Sequence, residues 1–115
     1  MVKSKKYIPD CGDIVWLTFN PQSGREQSGR RPALVNSPLI YNGKTNLAIF
    51  CPITSQVKDY PFEVKLPEDL EISGVILSDK IKSLDWKARE AEFICKLHKS
   101  QLTETLNKLN ALLTI

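Results

Sequence analysis

Histidine is nearly absent: His98 is the only one among 115 residues, which excludes a paired-histidine acid/base mechanism of RNA cleavage. Its place just before the last predicted helix suits capping or surface better than chemistry. The three cysteines, Cys11, Cys51 and Cys95, stand forty or more residues apart with no CxxC pair. Neither a disulfide framework nor a zinc site follows. HExxH, a Walker loop, GxGxxG after a strand and the GxSxG elbow are all missing. The nearest carboxylate grouping, Glu68-Asp69-Leu70-Glu71, reads as a solvated acidic turn, so no metal and no cofactor are expected. No apolar run approaches the ~20 residues of a membrane span. The basic residues 1–6 lead into Tyr7-Ile8-Pro9-Asp10, where a signal peptide needs an apolar stretch. The reading is a soluble cytoplasmic protein with no membrane role.

What is present is ordinary globular composition, with 42% hydrophobic and 25% charged residues in a length that suits one domain, 1–115. The formal net charge of +3 is unevenly spread. Residues 1–60 carry eight Lys/Arg against four Asp/Glu, and residues 61–115 carry eight against nine. A basic front half is compatible with a phosphate-binding face, though solvated surface explains it as well.

Residues 13–19 alternate as a strand, with Val15, Leu17 and Phe19 on one face and Ile14, Trp16 and Thr18 on the other. Both faces are largely apolar, which predicts cover on both sides. A polar loop follows over 20–30, then a strand over 31–36, with Pro32 near its start where a missing N–H is tolerated. Tyr41-Asn42-Gly43-Lys44 reads as a turn, and 46–53 and 60–66 as strands. Residues 74–81 and 92–97 supply two or more further short strands. Cys51 and Cys95 sit in apolar runs and read as buried thiols, while Cys11 lies in a polar turn.

The period then changes. Leu102, Leu106, Leu109 and Leu113 recur at spacings of four, three and four, one face of a helix. Ser100 is the expected N-cap, with Glu104 favoured by the helix dipole. Short strands plus one amphipathic helix predict a mainly β, SH3-like barrel of strongly bent antiparallel sheet.

The chemistry gathers in Gly24-Arg25-Glu26-Gln27-Ser28-Gly29-Arg30-Arg31-Pro32. Guanidinium is shaped to hold a phosphate through two parallel hydrogen bonds. Pro32 biases Arg31 towards extended backbone and so fixes where its side chain points. A solvated hairpin tip with compensated charges remains open as the plainer reading. Thr54-Ser55-Gln56-Val57-Lys58 is a second polar island, with hydroxyls at a strand end that suit phosphate oxygens. In Ser78-Asp79-Lys80-Ile81-Lys82, extended backbone would put Lys80 and Lys82 on one face, towards a nucleic-acid backbone or as edge-strand protection.

The ordered series resembles the MazF/PemK (Kid) family of toxin endoribonucleases, and its MazF branch most. It runs from Pro9-Asp10-Cys11-Gly12-Asp13-Ile14-Val15-Trp16 through the arginine loop, Ser37-Pro38, Tyr41-Asn42, Pro52-Ile53-Thr54 and Tyr60-Pro61-Phe62-Glu63-Val64 to Trp86-Lys87-Ala88-Arg89. Asp59 stands where relatives can carry glycine. The resemblance implies a homodimeric SH3-like barrel that cuts single-stranded RNA without a metal. In that family the ribose 2′-hydroxyl attacks the adjacent phosphate, leaving a 2′,3′-cyclic phosphate and a 5′-hydroxyl. It also implies a MazE-like antitoxin whose acidic tail covers the basic groove.

By match to the family's motifs, Arg31 takes the place of the catalytic arginine and Thr54 that of the catalytic threonine. On chemical grounds Glu26 is the better base, because guanidinium stays protonated. Gln27, Asn20, Lys58, Asp79, Lys80 and Lys82 are the expected RNA-binding residues. The Kid branch's histidine and second arginine correspond here to Arg25 and Leu77, which moves Asp79 from catalysis to binding. The rival readings are a gyrase-binding toxin of the CcdB kind, which would use a tryptophan close to the C-terminus, and a non-catalytic RNA-binding barrel. This chain ends Ala111-Leu112-Leu113-Thr114-Ile115.

Overall fold

The computed structural model describes residues 6–19 and 29–114. In chain order these form β1 (Asp13–Thr18), β2 (Arg30–Val35), α1 (Leu39–Thr45), β3 (Leu47–Thr54), β4 (Glu63–Lys65), β5 (Val75–Leu77), β6 (Lys82–Asp85), β7 (Glu92–Lys96) and α2 (Lys99–Leu113). The strands make one seven-stranded sheet in the order β4-β5-β3-β2-β1-β7, with β6 also on β3, and every pairing is antiparallel. The two ends of that path, β4 and β7, do not pair among the described residues. The sheet is bent but not closed, so the closed form of the expected barrel is corrected to an open one.

The long β3 organises the rest. One edge carries β2 through Ala33↔Pro52, Leu34↔Cys51 and Val35↔Phe50. The other edge is shared end to end: β6 takes Leu47 to Phe50, and β5 takes Ile53 and Thr54. The changeover falls at Cys51-Pro52, where the proline has no N–H to donate.

The central strands are covered on both faces, as their two-sided apolar pattern requires. Ile14, Leu34, Cys51, Ile53, Val64, Ile76 and Leu97 form one cluster, against which Leu102 of α2 packs. Val15, Leu17, Ala33, Val35, Ala48, Phe50 and Trp86 form the other. Each cluster takes alternate residues of β1, β2 and β3, as a period of two dictates.

Several local expectations are corrected. The predicted turn at Tyr41-Asn42-Gly43-Lys44 is part of α1, because Asn42 is fully buried and tied from three sides. Its amide donates to the carbonyls of Pro9 (2.8 Å) and Ser37 (2.9 Å), and its Oδ1 accepts from the Ser37 hydroxyl at 2.6 Å. Trp86 Nε1 donates to the Asn42 carbonyl at 2.9 Å. The predicted strand 60–66 shrinks to β4, and β6 is an additional strand. The segment around Ser78 to Lys80 turns instead of extending, with the Lys80 N–H donating to the Leu77 carbonyl. Lys80 and Lys82 therefore do not share one extended face.

α2 starts one residue after His98, which occupies the N-cap without a side-chain cap, and Ser100 lies inside the first turn. Glu104 lies beyond the first turn and faces Lys108 at 3.8 Å instead of the dipole. Leu109 is buried, whereas Leu113 is 69% exposed and lies beyond the packed part of the stripe. Cys95 is half-buried instead of buried, and His98 pairs with Asp69 at 2.9 Å on the surface. No described helix is long and apolar enough to cross a membrane.

Candidate active site

Strand register puts Arg31 and Thr54 on one face of the sheet. Continuing the β2–β3 pairing two residues past Ala33↔Pro52 sets Arg31 opposite Thr54, and directly opposed residues share a face. That face is the one from which Leu17, Ala33, Val35 and Phe50 enter the second core cluster. Arg31 is exposed, and among the described residues its side chain takes part in no hydrogen bond or ion pair.

Its neighbour Arg30 is occupied. Arg30 Nη1 donates to Thr18 Oγ1 (2.9 Å) and to the Arg89 carbonyl (3.2 Å), and Nη2 reaches Glu92 Oε1 at 3.2 Å. Arg89 in turn donates from Nη1 to the carbonyls of Thr18 (3.0 Å) and Phe19 (2.7 Å). Arg89 thus satisfies carbonyls at the end of β1, beyond its pairing with β7, while Arg30 ties down the Thr18 hydroxyl. The sequence singled out Arg31 through the family's motif but gave no sign of the contacts that occupy Arg30.

Thr54 closes β3. Its half-buried hydroxyl accepts the Gln56 N–H at 3.1 Å, which leaves the O–H free to donate. Gly74 sits directly behind, at φ +126°, and a Cβ there would stand 2.3 Å from the Thr54 carbonyl oxygen. Only glycine lets that strand approach. In the sequence, Gly74 entered only as the start of a strand and part of the family's ordered series, and its place behind Thr54 was not foreseen.

The remaining predicted residues divide. Lys82 opens β6 opposite Phe50, which puts it on the face of Arg31 and Thr54. Lys80 is exposed in the preceding turn, and Asp79 beside it accepts the Tyr60 hydroxyl at 2.7 Å. That bond pushes the Tyr60 phenol up to about 12. Lys58 is exposed in the loop between β3 and β4, and Leu77 is half-buried in β5. Glu26, Gln27, Asn20 and Arg25 lie outside the described residues.

None of the three thiols is an activated nucleophile. Burial pushes Cys51 up to about 11, and it also raises Cys11 and Cys95. Among the described residues, no three His, Cys, Asp or Glu side chains group as metal ligands.

Residues 10–113 match a family described as the PemK-like, MazF-like toxin of type II toxin–antitoxin systems. The chain belongs to that family. It is 50% identical over 86 residues to the endoribonuclease toxin MazF of Escherichia coli K12, covering 75% of this chain and 77% of that protein. The crystal structure of MazF from Deinococcus radiodurans superposes with a TM-score of 0.87 at 53% identity, covering 96% of this chain and 100% of the other. A MazE–MazF complex from the same organism gives 0.85 at 49% identity, with 94% and 97% covered.

Within the MazF-like family, the Asp59 departure has a geometric reading. Asp59 has φ +61°, a region that favours glycine and that aspartate enters at a modest cost. The cost is offset by Glu63, whose carboxylate accepts the N–H groups of both Lys58 and Asp59 at 2.9 Å.

Proposed function

We propose that this MazF-like toxin is an endoribonuclease that cuts single-stranded RNA at short sequence motifs without a metal, with residues 1–115 acting as one toxin domain. What supports the reading is the β2–β3 register, which, carried two residues past Ala33↔Pro52, sets Arg31 and Thr54 on one sheet face, with no partner on the Arg31 side chain among the described residues.

Attack by the ribose 2′-oxygen on the adjacent phosphorus builds negative charge on the equatorial oxygens. Arg31 offers two parallel N–H donors to that charge, and Thr54 offers a third donor from the neighbouring strand. One preorganised donor of this kind is worth about 3–4 kcal/mol. The 2′-hydroxyl proton goes to a base, for which Glu26 has the right chemistry. The bond from phosphorus to the 5′ oxygen then breaks, and that oxygen takes up a proton from Arg31 or from water. The products are a 2′,3′-cyclic phosphate and a 5′-hydroxyl.

Gln27, Asn20, Lys58, Asp79, Lys80 and Lys82 line the path of the strand in this reading. The lysines supply phosphate contacts, and the amides and Asp79 read base edges. The protein works as a homodimer in the cytoplasm. A MazE-like antitoxin neutralises it by laying an acidic segment along the basic groove.

The test is incubation of a long RNA of known sequence with the purified protein in excess EDTA, followed by mapping of both ends at each cut. Cyclic phosphate and 5′-hydroxyl ends at a recurring short motif are expected. Intact RNA, or 5′-phosphate ends, would overturn the proposal.

A further inference from the structure

We infer that Tyr60 and Glu63 are positioning residues: together they hold loop 55–60 in one shape beside Thr54, as a fixed wall for the bound RNA strand. The inference rests on the nuclease reading above and concerns how its substrate is held.

β3 and β4 both run antiparallel to β5 and flank it, so after Thr54 the chain crosses past β5 to begin a strand parallel to β3, and the crossing draws on neither core. Neither hydrophobic cluster draws on residues 55–62, and Val57 is 54% exposed. Polar bonds set the loop instead. Both oxygens of Glu63 are used, Oε2 on the Lys58 N–H and Oε1 on the Asp59 N–H, each at 2.9 Å. Bonds to an ionised carboxylate are about twice as strong as neutral ones. They hold Asp59 at φ +61°, a left-handed conformation that aspartate tolerates better than most side chains.

At the far end, the Tyr60 hydroxyl donates to Asp79 Oδ1 at 2.7 Å, which fastens the loop to the β5–β6 turn. At the near end, the Gln56 N–H is held by Thr54 itself. The loop is therefore fixed at three points, one of them the proposed phosphate donor. Val57, Asp59, Tyr60 and Glu63 also line a groove of about 650 Å³. The groove continues to Gly74 and Val75, the two residues that back Thr54.

A loop fixed before binding loses little conformational entropy when the strand arrives. Arg31 and Thr54 stand on sheet strands and keep their places if the loop loosens. The latch therefore acts on substrate affinity and motif choice, and leaves the chemical step alone.

The test uses the full chain, with Tyr60→Phe and Glu63→Gln, on an oligoribonucleotide carrying one mapped cut site in excess EDTA. Tyr60→Phe removes a single surface hydroxyl and keeps the ring, so it decides the matter even if Glu63→Gln folds poorly. Each variant is expected to raise KM about fivefold or more with kcat within about twofold of wild type, the signature of lost ground-state binding. Glu63→Gln should also speed hydrogen exchange at the Lys58 and Asp59 amides by about tenfold or more, because one amide oxygen cannot serve both donors. Wild-type cutting with unchanged KM in both variants would overturn this inference alone, as would a fall in kcat at constant KM. Wild-type protein that leaves the RNA intact would sink the nuclease reading and this inference with it.

Discussion

Arg30 and Arg31 are adjacent on β2 and meet opposite fates: Arg30 is bound by Thr18, Arg89 and Glu92, whereas Arg31 has no partner among the described residues. Strand alternation sends them to opposite faces of the sheet. Arg30 is used to build the fold, and Arg31 is the arginine proposed to act on the substrate.

Their alanine variants should therefore separate stability from activity. Arg30→Ala is expected to lower stability by about 1 kcal/mol through its bonds to Thr18 and the Arg89 carbonyl, since the exposed pair with Glu92 adds little. Arg31→Ala should leave stability within about 0.5 kcal/mol of wild type, as for exposed positions without contacts. Urea unfolding of the two variants checks this, and a larger loss for Arg31→Ala would contradict it.

Gly74→Ala tests the backing of Thr54. At φ +126° and 2.3 Å from the Thr54 carbonyl oxygen, a Cβ forces the strands apart. We expect a loss of about 2 kcal/mol or more in stability, together with a fall in cleavage rate as Thr54 shifts. Wild-type stability would show that the approach of β5 to Thr54 relaxes at no cost.

The legible part of this fold was the part written in local pattern. Two-sided apolar alternation in β1 and the four-three-four leucine spacing in α2 each announced their element. α1 was hidden because Asn42-Gly43 is turn chemistry locally, and the bonds that make it helical come from Pro9, Ser37 and Trp86. β6 was hidden because Lys82-Ser83-Leu84-Asp85 has a single apolar residue. At the site, Arg31 and Thr54 were legible through the family's motifs. The contacts of Tyr60 with Asp79 and of Arg89 with Thr18 join residues nineteen and seventy-one positions apart, and no local pattern encodes them.

Asn42→Ala should be among the most destabilising single changes. It removes both donors and the acceptor of a fully buried amide and strands the Pro9 carbonyl and the Ser37 hydroxyl. A cost of about 3 kcal/mol is expected, since each stranded buried group costs about 1–3 kcal/mol. Thermal unfolding measures it, and a shift of a degree or less would contradict this role.

The alkaline side of the stability profile should report Tyr7. Its phenol is raised well above the usual range, first by burial and then by its 2.5 Å hydrogen bond to Asp13. A raised folded-state value means the folded protein holds that proton more tightly than the unfolded chain. The contribution is complete below the ordinary tyrosine value of about 10 and is lost as pH climbs above it. Tyr7→Phe should therefore flatten the decline in stability above pH ~10, measured by denaturant midpoints between pH 8 and 11.5. An equally steep decline in the variant would assign it to other groups.

The central claim is that Arg31 neutralises charge at the phosphorus in the transition state, and its direct measurement is the single-turnover cleavage rate of Arg31→Ala against wild type in excess EDTA. The account predicts a loss of about 100-fold or more, as for removal of a principal transition-state donor, in a variant whose folded spectrum and urea midpoint match wild type. A natively folded Arg31→Ala protein that cuts RNA within a few-fold of the wild-type rate would contradict it.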